Sequence, residues 1–198
     1  MLRLGGRRGP RLLARLMEAA DDFDHDRDRR AVGILREVRD SLPDASSVRE
    51  LLGLTQYHLG NYRAAAKELE AFVELTGSVE QHPVLMDCYR AQHRWARVDQ
   101  LWQDLAESSP SAALVTEGRI VAAGALADQG RLPEAIALLA RKAGAVKRPR
   151  DHHLRLWYAL ADLEERAGDH SRARALFARV ADHDADFADV PARRANLR

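Results

Sequence analysis

The chain of 198 residues has one cysteine, Cys88, so no internal disulfide can form, and a disulfide scaffold or a cysteine-rich zinc site is excluded. No apolar run approaches the ~20 residues of a membrane span. The first ten residues, Met1-Leu2-Arg3-Leu4-Gly5-Gly6-Arg7-Arg8-Gly9-Pro10, are basic but hold no apolar stretch of signal-peptide length. A cytoplasmic protein without membrane contact is the expectation. Neither sign of charge dominates: Lys plus Arg number 31 and Asp plus Glu 30, and a net charge of +1 gives no global attraction to nucleic acid or anionic lipid. Lysine is scarce, with 3 against 28 arginines, a bias typical of a GC-rich bacterial genome. No phosphate-cradling glycine loop, His-Glu metal motif or serine nucleophile elbow occurs, so the sequence points away from an enzyme and implies no cofactor.

What is present is a repeat. Gly60-Asn61-Tyr62-Arg63-Ala64-Ala65-Ala66-Lys67-Glu68-Leu69 joins a turn glycine to an amphipathic segment with a small residue five positions after the glycine. The phrase returns at Gly130-Arg131-Leu132-Pro133-Glu134-Ala135 and at Gly168-Asp169-His170-Ser171-Arg172-Ala173. Weaker copies start at Asp26 and His93. The small-residue position reads Ala31, Ala65, Val98, Ala135 and Ala173, at intervals of 34, 33, 37 and 38 residues. Each copy follows a second amphipathic segment, and Pro43 and Pro110 stand where proline stops a helix. Periodicity predicts paired helices over 10–23 and 28–41, 45–59 and 62–75, 80–92 and 95–108, 111–129 and 132–143, and 151–167 and 170–183, with a capping helix near 187–197.

This pattern resembles the tetratricopeptide repeat (TPR) over residues 11–185, most closely in 157–185, and departs from it where Asp26 and His93 replace the turn glycine. The resemblance implies an all-α, right-handed α-solenoid of about five TPR-like helix-turn-helix pairs plus a C-terminal capping helix. The expected organisation is a flexible basic N-terminus over 1–9, the repeat domain over 10–185, and the capping helix and tail over 186–198. Small bacterial proteins of this kind carry no assigned activity. Their general role is that of a non-catalytic adaptor or scaffold holding a peptide or protein segment in a concave groove.

In that fold the first helix of each pair lines the groove, which makes Leu54, Tyr57, His58, Asp87, Arg90, Arg155, Tyr158 and Asp162 the candidate binding residues. Arg155, Tyr158 and Asp162 share one helical face, and Tyr and Arg are common binding hot spots. The clamp by which some relatives hold a C-terminal carboxylate needs asparagines on those helices, but Asn61 and Asn196 lie outside them. The basic stretch with Arg141, Lys142, Lys147, Arg148 and Arg150 offers an alternative role, contact with nucleic acid or a ribonucleoprotein. An uncapped first helix exposing Leu12, Leu13 and Leu16 would favour a homo-oligomer.

Other features read as structural. The run from Asp21 through Asp28 imitates a calcium loop, but counting from Asp24 puts Arg29 where glycine is needed and Leu35 where glutamate is needed. His152 and His153 are adjacent, so they are expected to diverge by about 100° on a helix that Asp151 caps. Cys88, Trp95, Trp102 and Trp157 are expected in the core.

Overall fold

The computed structural model describes residues 8–197, and among these are eleven helices and no strand. In chain order they are α1 (Arg8–Asp24), α2 (Asp28–Ser41), α3 (Ser46–His58), α4 (Tyr62–Thr76), α5 (His82–Ala91), α6 (Trp95–Ser108), α7 (Ala112–Asp128), α8 (Leu132–Ala140), α9 (Asp151–Arg166), α10 (His170–Ala181) and α11 (Val190–Asn196).

The five turns inside the pairs share one geometry. Asp26, Gly60, His93, Gly130 and Gly168 all have left-handed backbones, with φ of 56°, 72°, 56°, 78° and 84°. In each turn the next residue's N–H reaches the carbonyl five residues back: Arg27 to Asp22, Asn61 to Gln56, Arg94 to Tyr89, Arg131 to Leu126 and Asp169 to Glu164. The left-handed residue donates to the carbonyl three residues back in all five. This is the closure that satisfies orphan carbonyls at a helix C-terminus. Asp26 and His93 therefore occupy the glycine position of the repeat despite their side chains. The small-residue register holds equally well, since Ala31, Ala65, Val98, Ala135 and Ala173 are all 0% exposed.

The chain forms two compact units, the first ending at Arg94 and the second beginning at Trp95. The boundary between them falls inside the third pair, as a repeat in which each helix touches only near neighbours permits. In the first unit Ala19, Ile34, Leu35, Val38, Val48 and Leu52 form one apolar cluster. A buried carboxylate binds its helices together: Glu68 on α4 accepts from Arg39 Nη1 of α2 at 2.7 Å and from Arg49 Nη1 of α3 at 2.5 Å. Gly53 lets α3 approach α4 so closely that a Cβ there would lie 2.6 Å from Leu69 Cδ2. In the second unit Trp157, Leu160, Phe177 and Val180 lead the core, and Val190 of α11 joins it.

Several element ends differ from the periodicity reading. The expected flexible segment 1–9 lies outside the described residues for 1–7, while Arg8 and Gly9 already belong to α1. Helix α8 stops at Ala140 rather than 143, and beyond it the Ala143 carbonyl accepts from Trp157 Nε1 at 3.2 Å and Arg179 Nη1 at 3.1 Å. Helix α11 begins at Val190 rather than 187, behind Ala188 with its left-handed φ of 46°. Asp151 is the first residue of α9 and not its cap. The cap position belongs to Arg150, whose N–H donates to His153 Nδ1 at 3.0 Å.

Candidate functional site

Among the sequence-chosen groove residues, the first unit brings three together. Tyr57 on α3 donates its hydroxyl to Asp87 Oδ2 on α5 at 2.9 Å, and Arg90 Nη1 approaches Asp87 Oδ1 at 3.3 Å. Two adjacent first helices are thus joined through a half-buried aromatic-acid-base cluster. Burial first, and then the Asp87 charge, push the Tyr57 phenol well above its ordinary range. Leu54, one turn before, is half-buried on the same helix. His58 leaves this cluster. Its ring stacks on Phe23 at 4.7 Å, and Nδ1 lies 3.6 Å from Asp28 Oδ1, so it faces the first pair's turn.

The second unit distributes the other three differently from a simple open stripe. Arg155 is exposed and lies 3.3 Å from Glu117 of α7. Tyr158 donates to Asp189 Oδ1 at 2.6 Å and packs its ring near Phe177 and Phe187. Burial and the Asp189 carboxylate raise its phenol to about 12. Asp162 accepts from Arg193 Nη2 at 2.8 Å, while Arg193 Nε also donates to Glu165. The segment around α11 therefore engages Tyr158 and Asp162. Sequence reasoning missed Asp189 and Arg193 because they belong to the terminal cap, outside the repeat register that selected the stripe.

The remaining candidates fall into place by burial. Arg141, Lys142, Lys147, Arg148 and Arg150 are all exposed on the α8–α9 connection, and none has an ion-pair partner among the described residues. Ala143 anchors that connection from within. Cys88 is 0% exposed, and burial raises its thiol to about 12, so it packs as a small apolar group. Of the tryptophans only Trp157 belongs to the core; Trp95 and Trp102 are half-buried, and Arg119 lies 5.1 Å over the Trp102 ring. The expected divergence of His152 and His153 is not observed, since rotamer choice brings their ring centroids to 4.0 Å. In the acidic run Asp22 is 1% exposed and paired with Arg27 Nε at 2.6 Å, which makes it a structural carboxylate of the first turn. Among the described residues no group of three or more His, Cys, Asp or Glu side chains is placed to hold a metal ion. None of the described helices is long and apolar enough to cross a membrane. On α1, Leu12 and Leu16 pack against the first core rather than standing free, whereas Leu13 and Met17 are 58% and 65% exposed.

Comparison with solved structures identifies the fold. A thermophilic TPR protein of Thermus thermophilus superposes with a TM-score of 0.68 at 18% identity, over 94% of this chain and 98% of that one. A TPR protein of Parabacteroides merdae ATCC 43184 gives 0.69 at 13% identity, over 94% of this chain and 70% of that one. The apo form of the quorum sensor NprR from B. thuringiensis gives 0.68 at 13% identity, over 94% of this chain but 57% of its own. No protein-family profile and no curated protein sequence matches.

Proposed function

We propose that this chain, an all-α protein with the TPR fold, is a non-catalytic scaffold that holds a segment of another protein against the first helices of its pairs. The observation that carries the reading is the Tyr57–Asp87–Arg90 cluster. It joins α3 to α5 at the surface and combines the residue types that dominate binding hot spots, already fixed by hydrogen bonds. Leu54 adds apolar area beside it. The solved structures of this fold, which include a quorum sensor, are consistent with recognition rather than catalysis.

Affinity capture with the tagged chain tests this. The variant Tyr57→Phe with Arg90→Gln should lose the captured protein while its thermal melt stays cooperative. Capture of the same protein at the same level would overturn the assignment.

A second reading rests on the five exposed cations of the α8–α9 connection, which have no ion-pair partner among the described residues and would contact phosphates of a nucleic acid or ribonucleoprotein. It requires steeply salt-dependent retention of nucleic acid. No retention at low salt would eliminate it.

A further inference from the structure

The first unit contains a cleft of about 860 Å³ between α2, the α3–α4 turn, α4 and the end of α5. It shares no residue with the Tyr57–Asp87–Arg90 cluster. Arg36, Arg63 and Lys67 line it, all exposed and all without an ion-pair partner among the described residues. Arg15, Arg27, Arg30, Arg39 and Arg49 of the same unit are, by contrast, each engaged by carboxylates. A fourth cation, Arg94, lies 4.9 Å over the ring of buried Tyr89. The lining holds one carboxylate, Glu70, and it accepts a hydrogen bond from the Tyr89 hydroxyl.

The backbone adds to this positive field. Asn61 stands at the N-cap of α4, but its Nδ2 donates to Gln56 Oε1 at 2.9 Å and its side chain caps nothing. The first-turn amides of Tyr62, Arg63 and Ala64 thus receive no side-chain cap, and these residues line the cleft at the positive end of the helix dipole.

We propose that this cleft binds an acidic peptide segment of a partner protein, with adjacent Asp or Glu carboxylates meeting Arg36, Arg63 and Lys67. Charge complementarity is local, since the chain as a whole carries only +1. Single-stranded nucleic acid would need several open ring faces on which successive bases stack. The face of buried Tyr89 is covered by Arg94, which leaves Tyr62 as the one ring of the lining open to a base. Four cations converging on one concavity also suit a short cluster of carboxylates better than a continuous phosphate track.

The test is fluorescence anisotropy with the full chain and a fluorescein-labelled hexaglutamate peptide, with hexaglutamine and a thymidine hexanucleotide as comparison probes. Saturable hexaglutamate binding that weakens with salt is expected. The exposed double variant Arg36→Gln with Lys67→Gln should weaken it about tenfold, as expected for two charge contacts of moderate strength. The variant Tyr57→Phe with Arg90→Gln should leave it unchanged, which separates this site from the proposed scaffold surface. Equal affinity for hexaglutamine, or indifference to the Arg36 and Lys67 changes in a protein of unchanged melt, would overturn the proposal. Tighter binding of the thymidine hexanucleotide through the same two residues would also overturn it and assign the cleft to nucleic acid.

Discussion

Glu68 and Arg39 meet at 2.7 Å where the Glu68 side chain has almost no contact with water, and Arg49 closes the same carboxylate from the other side. A carboxylate held between two guanidiniums is stable only while all three groups are present. Glu68→Ala leaves Arg49 without its carboxylate and Arg39 with Asp40 alone, beside the space that the buried side chain had filled. We expect it to lower unfolding free energy by about 3–5 kcal/mol in urea titration. Glu134→Ala, which removes an exposed partner of Arg131, should move the midpoint far less. Equal effects of the two changes would show that Glu68 is not a structural anchor.

Two helical glycines should respond to alanine with opposite signs. Gly33 on α2 is exposed, and a Cβ there meets nothing within 4 Å. Gly33→Ala should therefore stabilise by about 0.5–1 kcal/mol through helix propensity alone. At Gly53 the new methyl would sit 2.6 Å from Leu69 Cδ2, and Leu69 is fully buried with no room to turn. Gly53→Ala should cost about 1–3 kcal/mol. Calorimetric melts of both variants would expose an error in either packing.

The left-handed turns predict a second opposed pair. Asp26 holds φ at 56° with a side chain, whereas Gly130 reaches 78° without one. Asp26→Gly should raise the melting temperature and Gly130→Ala lower it, each by the equivalent of about 1 kcal/mol. A loss of stability in Asp26→Gly would mean that its side chain contributes more than its backbone strain costs.

Glu117 supplies a pH signature. Burial raises its carboxyl pKa and the Asp151 charge adds to the shift, while Arg155 at 3.3 Å opposes them. With the native pKa above the unfolded one, the native state holds this proton more tightly. Its contribution is present below the unfolded pKa and lost as pH rises through the native one. Melts of wild type and Glu117→Gln between about pH 4 and pH 7 should show the variant gaining relative stability as pH rises. A relative loss over that window would reverse the assigned direction.

The repeat was legible because its strongest constraints are local. A turn that needs a left-handed residue, followed five positions on by a residue that must be small, leaves a mark in the sequence even where Asp26 and His93 stand in for glycine. Contacts made by distant partners left none. Nothing around Ala143 announces that Trp157 and Arg179 will take its carbonyl. The same holds for the surface: Tyr158 and Asp162 could be placed on one face, but their engagement by Asp189 and Arg193 depends on where the terminal cap folds. Arg63 and Lys67 share one face of α4 at i, i+4, but Arg36 and Arg94 come from other elements, so only the packed unit gathers all four in one cleft.

The connections inside the five pairs are all three residues long, whereas those between pairs run from three residues after α6 to ten after α8. The chain is thus rigidly punctuated within a pair and permissive between pairs. Foreign sequence should be accepted between Lys147 and Arg148, both exposed and beyond the anchored Ala143. One residue inserted beside Gly60 would break the closure from Asn61 N–H to the Gln56 carbonyl and displace Ala65 from its buried register. Such a chain can gain or lose whole pairs more readily than single residues.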